Sequence, residues 1–265
     1  MNAPEAPMPF RPKVLSSRHS VERGRRLART VYRGAMFSAV AVLGVLGYQA
    51  AVSSSLLTVT EVILEEVQRA PSEELLRLVQ VPRTANILRV DTQGIADRVA
   101  SHAWVEDASV IRRFPHALIV RVKERVPIAV LQGNQAVLLD RYGVILGPAD
   151  AGARRDFVAL SGGREGVLRP GAVVGQPLRT ALEVLQTLRR EHAFAGMRIS
   201  RLHVVDEGSL EVHLQPNSLI VVLRGEDLAS QLARFDAVAA SFGPALPSRL
   251  RIDVSFVGQA VVRSL

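Results

Sequence analysis

Histidines and serines are the side chains of this sequence that could carry catalysis or bind a metal. The chain has no cysteine, which excludes a thiolate zinc site, a cysteine nucleophile and any disulfide. Among six histidines, only His203 and His213 are spaced to lie near each other, on neighbouring strands of a hairpin. No carboxylate pattern near them completes a recognisable metal set, so isolated surface histidines are the better interpretation. The six are His19, His102, His116, His192, His203 and His213.

A second candidate for chemistry is Ser161-Gly162-Gly163, which could present a nucleophile on a loop. The segment lacks the Gly-x-Ser-x-Gly turn of serine hydrolases, and no motif places a histidine or an acid beside it. Aspartates and glutamates are scattered among arginines, as on solvated faces, and no pair is positioned for acid–base work. The sequence therefore predicts no catalytic, cofactor-binding or metal-binding residue, and a protein that is not an enzyme.

Basic residues could instead define a nucleic-acid site, because the formal net charge is +8. Residues 101–130 read SHAWVEDASVIRRFPHALIVRVKERVPIAV and hold several arginines. Residues 1–33, however, carry eight basic and two acidic residues, so six of the eight net charges lie there. Aromatic residues make up 5% of the chain and form no stacking set beside Arg112, Arg113 and Arg121. We predict no nucleic-acid partner and no small-molecule substrate.

An uncharged segment follows the basic N-terminus and runs from Gly34 to Thr60. Roughly 20 residues, at about 1.5 Å each, suffice to cross a hydrocarbon core. A buried core helix is disfavoured because the segment is apolar all round and directly follows arginines. A cleaved signal peptide stays open, since Ala51-Val52-Ser53 resembles a cleavage site, but signal peptides usually have shorter basic leaders. The prediction is one uncleaved transmembrane helix at residues 34–56.

The arginines before this span predict its orientation, with the N-terminus in the cytoplasm and the later residues exported. Residues 1–33 contain few large apolar side chains and four prolines, so they are predicted to be a basic, disordered cytoplasmic tail. The positive charges of the tail would be attracted to anionic lipid headgroups. The prolines are Pro4, Pro7, Pro9 and Pro12.

Residues 57–126 have the pattern of a compact α+β unit with helices on one face of a sheet. LLTVTEVIL suits a strand, and PSEELLRLVQV predicts a short helix with Ser72 as its N-cap. Asp91 or Thr92 can cap a second helix. Two strands are then expected on either side of a turn at residues 114–116, with a basic face on the second. That face comprises Arg121, Lys123 and Arg125.

Residues 127–265 predict a second sheet with two covering helices. One helix has Leu178, Leu182, Leu185 and Leu188 on one face, and the other has a core stripe that ends at Phe242. The last segment, RLRIDVSFVGQAVVRSL, is a strand pair or one strand broken at Gly258. The remaining strands are predicted at Val137–Leu139, Val144–Leu146 and Phe157–Leu160 and in RISRLHVV, SLEVHLQ and SLIVVLR, the last three as an antiparallel meander.

One ordered combination of residues spans the first unit and the start of the second. It consists of Trp104-Val105, Ala108, Val110, Arg112, Pro115, Leu118, Val120, Val122, Glu124-Arg125 and Pro127-Ile128-Ala129, followed by AVLLDRYGVIL. This combination resembles the FtsQ/DivIB family of bacterial cell-division proteins; no single motif is diagnostic, but their order is fairly specific. The resemblance implies an α+β fold: a single N-terminal transmembrane helix, a POTRA domain at residues 57–126 and a mixed β domain with covering helices at residues 127–265.

The resemblance also implies a function, that of a membrane-anchored divisome scaffold at the septum of the inner membrane, with its domains in the periplasm. Its expected partners are FtsB-like and FtsL-like proteins. Carried over by position, the partner-binding strand covers residues 249–257, with Ile252-Asp253-Val254 at its core. Many relatives have arginine in place of Ser255, so binding here would rest on backbone pairing and on Phe256. The expected partner-binding residues are Arg251, Asp253, Ser255, Phe256 and Val257.

Two alternatives stay open at this point. A strand near the C-terminus could offer a free edge for strand addition, or it could simply close its own sheet. The chain could also be an exported or secreted enzyme or binding protein with a cleaved leader.

Overall fold

The first element of the structure is one long helix, α1 (Arg18–Ser53). The computed structural model describes residues 18–82, 84–163, 168–191, 194, 196–206, 208–243 and 247–265. Among these residues, one segment, Val31–Ser53, is helical, long and apolar enough to cross a membrane. Its side chains are exposed from residue 31 to residue 50, which suits contact with lipid rather than a protein core.

This helix begins and ends earlier than the sequence predicted. It starts at Arg18, so the prediction of disorder is wrong for residues 18–33, and residues 1–17 lie outside the described residues. The prolines that argued for disorder all precede the helix, whereas residues 18–33 include six arginines, which favour helix. The helix ends at Ser53, and a 3₁₀ turn at Ser55–Leu57 occupies the end of the predicted span.

Three strands and two helices form the first sheet and its cover. Strand β3 lies at the centre of this sheet and pairs in parallel with β1 and antiparallel with β2. Leucines, isoleucines and valines of both helices share one buried cluster with β3. The predicted order of strand, helix, helix, strand, strand is confirmed. The elements are β1 (Glu61–Glu65), α2 (Ser72–Val79), α3 (Thr92–Ala100), β2 (Val105–Arg113) and β3 (Ala117–Glu124).

The two helix starts differ in how they are capped. In α3 the prediction is confirmed, because the carboxylate of Asp91 accepts a hydrogen bond of 3.0 Å from the backbone N–H of Gly94. In α2 the prediction of Ser72 as N-cap is wrong. Pro71 holds the cap position without a side-chain bond, and Ser72 is the first helical residue.

The second sheet has nine strands in the spatial order β12-β11-β10-β9-β8-β7-β4-β5-β6. Its strands are β4 (Pro127–Leu131), β5 (Val137–Asp140), β6 (Ile145–Pro148), β7 (Val158–Gly162), β8 (Arg198–Asp206), β9 (Ser209–Gln215), β10 (Leu219–Arg224), β11 (Leu250–Asp253) and β12 (Val261–Ser264). Its helices are α4 (Ala153–Asp156), α5 (Gln176–Arg190) and α6 (Leu228–Ser241). The mixed sheet with covering helices is as predicted, and the segment after α6 is a strand pair.

Helices α5 and α6 supply the crossovers for two of the three parallel pairs of this sheet, and the third pair, β4 with β7, is connected through β5, β6 and α4. Helix α5 connects β7 to β8, and α6 connects β10 to β11. The predicted leucine face of α5 is buried in the core. In α6, Leu232 and Phe235 are buried, and the Phe235 ring meets Phe194 edge to face at 5.1 Å. Phe242, predicted to extend this stripe, is exposed because it lies past the last helical residue.

The junction between the sheets contains one departure from the predictions. Strand β4 begins at Pro127, the first residue of the predicted second unit, and proline is tolerated as the first residue of a strand because the ladder needs no N–H from it there. Arg125 was predicted on a solvated face, but its side chain is 19% exposed and pairs with the buried carboxylate of Asp140. Trp104 packs against the buried clusters of both sheets.

Candidate partner-binding edge of the second sheet

The segment predicted to bind a partner forms the last two strands of the nine-stranded sheet. Strand β11 pairs in parallel with β10 on one side and antiparallel with β12 on the other. Both edges of β11 are therefore occupied by this chain, so of the two alternatives that the sequence left open, this strand closes its own sheet. The outermost strand is β12, which the sequence analysis did not include among the candidate residues.

The register of this hairpin indicates which groups of β12 point outward. Arg251 lies opposite Arg263 and Ile252 lies opposite Val262, and the N–H of Leu265 donates to the carbonyl of Arg249 at 2.8 Å. In an antiparallel ladder, hydrogen-bonded and non-bonded pairs alternate. The N–H and C=O groups of Val262, and of Ser264 two residues on, are thus directed away from β11.

Three of the predicted residues bond to other side chains or to the backbone of this chain. The guanidinium of Arg251 lies 2.7 Å from the carboxylate of Glu211 on β9. The carboxylate of Asp253 accepts from the backbone N–H of Ser255 at 3.0 Å and from its hydroxyl at 2.6 Å. Ser255 lies after the last residue of β11. Replacing it by proline would therefore disrupt a turn and would not remove a hydrogen bond between strands.

The other two predicted residues, Phe256 and Val257, lie in the turn between β11 and β12. They are 47% and 95% exposed, and Val262 on β12 is 40% exposed. The last strand therefore combines an open backbone edge with exposed apolar side chains, a combination typical of interaction sites. The only signal for Val262 in the sequence is the apolar run Ala260-Val261-Val262 after Gly258.

The candidate catalytic and metal residues behave differently from the expectation of isolated histidines. Ser161 on β7 is hydrogen-bonded to Nδ1 of His203 on β8 at 3.0 Å, and His203 lies opposite Glu211 on β9. Burial, and then the charge of Arg201, lowers the pKa of His213. No group of three or more metal-binding side chains occurs within the described ranges, which leave out His192. The carboxylate of Glu211 pairs with Arg251 at 2.7 Å and lies 3.8 Å from Nε2 of His213.

The fold and this edge define a class: a protein with one candidate membrane helix followed by a small α+β domain and a mixed β domain. Residues 57–125 match the family model "POTRA domain, FtsQ-type", and residues 129–255 match "Cell division protein FtsQ/DivIB, C-terminal". These matches cover more than half of the chain. The chain belongs to the FtsQ/DivIB family of cell-division proteins.

Individual relatives agree with the family models. The cell division protein FtsQ of Anaeromyxobacter sp. (strain K) is 32% identical over 222 residues, which cover 82% of this chain and 75% of the relative. That of Salinibacter ruber is 29% identical over 254 residues, covering 91% and 95%. That of Syntrophotalea carbinolica is 26% identical over 214 residues, covering 80% and 74%.

Proposed function

We propose that this cell-division protein is a non-enzymatic scaffold of the divisome that binds septal partners by strand addition to β12. The observation that carries the proposal is the outer edge of β12, where Val262 and Ser264 direct backbone groups away from the sheet. A partner segment that pairs with this edge gains main-chain hydrogen bonds, and side-chain contacts add selectivity. Phe256, Val257 and Val262 would supply those contacts.

The expected partners are FtsB-like and FtsL-like proteins, by the resemblance to the family. Arg251, Asp253 and Ser255 would act indirectly, since Arg251 ties β11 to Glu211 on β9 and the bonds between Asp253 and Ser255 hold the chain where β11 ends. Phe256 and Val257 remain the predicted residues that a partner would touch directly.

For the membrane, we propose a single-pass anchor with the N-terminus in the cytoplasm and the two sheets in the periplasm at the septum. The arginines before Val31 support this orientation, because basic residues are retained on the cytoplasmic side. The proposed domain assignment is a basic cytoplasmic segment at residues 1–33, the span predicted at 34–56, whose helix ends at Ser53, a POTRA domain at 57–126 and a β domain at 127–265.

Co-purification of FtsB-like and FtsL-like proteins with the full chain tests strand addition. Val262→Pro removes an outward N–H without removing a bond to β11, so we expect partner recovery to fall at least about tenfold while the sheet stays folded. Val262→Ala is the matched control, because it shortens the side chain but keeps the donor. Ser264→Pro repeats the test at a second outward position. Unchanged recovery with both proline variants would refute strand addition.

A mass measurement of the membrane-bound protein tests the anchor. An intact chain is expected, whereas the loss of about fifty residues would favour an exported protein with a cleaved leader.

A further inference from the structure

The second sheet carries a basic groove that the proposed edge binding does not use. A cavity of about 1250 Å³ opens at the end of the sheet where β8 begins and β9 meets β10. Among the residues that the structure describes, six arginines line it, against one acidic side chain, that of Asp156. We call this surface the arginine groove, and its members are Arg154, Arg155, Arg189, Arg198, Arg201 and Arg249.

The arginines of the groove differ from those elsewhere in the structure because carboxylates do not neutralise them. Arg121, Arg125 and Arg251 each lie within 3 Å of a carboxylate oxygen. Among the described residues, no member of the arginine groove forms such an ion pair. Arg155 and Arg201 also make no side-chain hydrogen bond there, and all six groove arginines are exposed. Several unpaired guanidinium groups around one cavity favour an anionic ligand that can accept bidentate bonds.

The backbone of Arg249, one of the groove arginines, has an unusual conformation. Its φ is 62°, in the left-handed region, which glycine adopts at lower cost than a residue with a side chain. Two backbone bonds hold it there, from its own N–H to Asn217 at 2.9 Å and from the N–H of Leu265 to its carbonyl at 2.8 Å. Strained positions of this kind are associated with functional sites.

The apolar part of the groove indicates which anion fits. Met197, Ile199 and Ile220 line the same cavity and are half-buried. A ligand that fills it must therefore bring apolar groups together with its negative charges. A peptide with carboxylates and aliphatic side chains meets both demands, whereas a charged polysaccharide meets only the first.

We propose that the arginine groove docks an acidic, partly apolar peptide segment of another protein. This goes beyond the proposed function, because the groove lies at the end of the sheet and adjoins β12 only at Leu265, beyond the outward groups of Val262 and Ser264. The carboxylates of the peptide pair with Arg201, Arg249 and Arg155, and its aliphatic side chains contact Met197 and Ile220. The charges steer association and make it sensitive to salt.

His213 provides a reporter inside the groove. Its pKa is lowered by burial and next by Arg201, is raised by Glu211, and is lowered further by His203 and Arg251. A carboxylate bound beside Arg201 offsets the repulsion from that guanidinium, so occupancy raises the pKa of His213. An NMR titration of the histidine ring can measure this change.

The test uses the full chain in detergent and a fluorescein-labelled peptide of four Glu-Leu repeats, followed by fluorescence anisotropy. Arg201→Gln combined with Arg249→Gly is expected to weaken binding at least about tenfold. The glycine substitution relieves the left-handed backbone and keeps both of its bonds, so the thermal stability should not fall. Arg113→Gln, an exposed arginine on β2, is the matched control and should bind like the unaltered chain.

Several outcomes would overturn the proposal. Equal binding of a Gln-Leu peptide would show that charge is not recognised, and equal binding by the double variant would place the site elsewhere. Tighter binding of polygalacturonate than of the Glu-Leu peptide would favour a polysaccharide. Self-association of the unaltered chain in sedimentation, lost in the double variant, would make a second copy the occupant. Weakened peptide binding with an increased pKa of His213 on occupancy in the unaltered chain would support the proposal.

Discussion

Arg125 and Asp140 form an ion pair that joins the two sheets, with 2.8 Å between Nη1 of Arg125 and Oδ2 of Asp140. Arg125 follows the last residue of β3, and Asp140 is the last residue of β5. The Asp140 side chain is 2% exposed, and its other oxygen accepts from the backbone N–H groups of Tyr142 at 2.9 Å and Val144 at 2.8 Å. One carboxylate thus stabilises the turn after β5 and fixes the end of β3 beside it.

Replacing Arg125 by methionine should therefore destabilise the junction. The substitution leaves Asp140 buried without its counter-charge, and breaking one partner of a buried pair costs about 3 kcal/mol in free energy of unfolding. Urea denaturation followed by the fluorescence of Trp104 measures it, because this single tryptophan packs against both buried clusters. Arg121→Met is the control, since Arg121 is 51% exposed and its solvent-screened ion pair with Glu65 should contribute far less to stability. Equal losses in the two variants would contradict the role of Asp140.

Glu124 gives the first sheet a pH-dependent contact. Its carboxylate accepts from the backbone N–H groups of Gln68 at 2.8 Å and of Arg69 and Ala70 at 2.9 Å. Burial raises the pKa of this carboxyl, but the three hydrogen bonds and the charge of Arg69 lower it more, so the net pKa lies below its usual 4.5. Because the folded state favours the ionised form, the contribution to stability is complete above the unfolded pKa and is lost as the pH falls through the folded pKa.

Urea denaturation at a series of pH values from about 7 down to 3 tests this contribution. The free energy of unfolding of the unaltered chain should fall at the acid end, and Glu124→Gln should lower it at neutral pH and flatten part of the acid slope. Glu73→Gln provides the comparison, since Glu73 is 88% exposed and pairs only weakly with Arg77. An unchanged acid slope in Glu124→Gln would rule out Glu124 as the source.

Local sequence patterns predicted the helices and strands of this chain better than they predicted which of these elements lie next to each other. The leucine face of α5 and the cap at Asp91 depend on residues three or four positions apart, so the sequence contains the whole signal. The pairing of β11 does not depend on such short spacings, because its parallel partner β10 is separated from it in the sequence by the whole of α6. The alternation of apolar and polar residues in β11 is found in edge strands and in central strands alike. Strand β11 is a central strand because β12 pairs with its other side.

The same limit applies to the side chains of the site. The sequence could place Arg125 near the end of a strand, but its partner Asp140 belongs to the other sheet. The arginine groove brings together α4, α5, β8 and the residue before β11, which are spread over about a hundred positions. Predicting such a cluster requires the topology of the sheet, which periodicity does not supply.

Gly143 explains the end of the Asp140-Arg141-Tyr142-Gly143 turn. Its φ is +80°, and a Cβ there would lie 2.8 Å from Cγ2 of Val174. Gly143→Ala should therefore cost conformational strain and a steric shift together, on the order of 2–3 kcal/mol in free energy of unfolding. Gly171→Ala separates the two, because Gly171 has φ +83° with nothing within 4 Å, and strain alone should cost about 1 kcal/mol. Chemical denaturation measures both variants, and equal losses would contradict the steric part.

Asn86 connects the membrane helix to the first sheet. Its buried amide donates to the carbonyls of Ala51 at 3.1 Å and Val52 at 2.8 Å, at the end of α1, where carbonyls lack helical partners. Its own Oδ1 accepts from the N–H of Leu88 at 3.0 Å. Removing the amide leaves the carbonyl of Val52 without its donor, while that of Ala51 keeps the N–H of Ser54 at 3.2 Å, so Asn86→Ala should weaken the connection by about 1–2 kcal/mol.

Hydrogen exchange of two backbone amides measures this effect. The N–H groups of Val59 and Ile87 donate to Ala85 and Leu57 and pair the segment after α1 with the loop before α3. Both should exchange about tenfold faster in Asn86→Ala, because 1.4 kcal/mol corresponds to a factor of ten in the opening equilibrium. Asn134→Ala, in an exposed loop of the second sheet, should leave them unchanged. If Asn86→Ala also left them unchanged, the backbone pairing alone would hold the helix to the sheet, and the amide would serve only the end of α1.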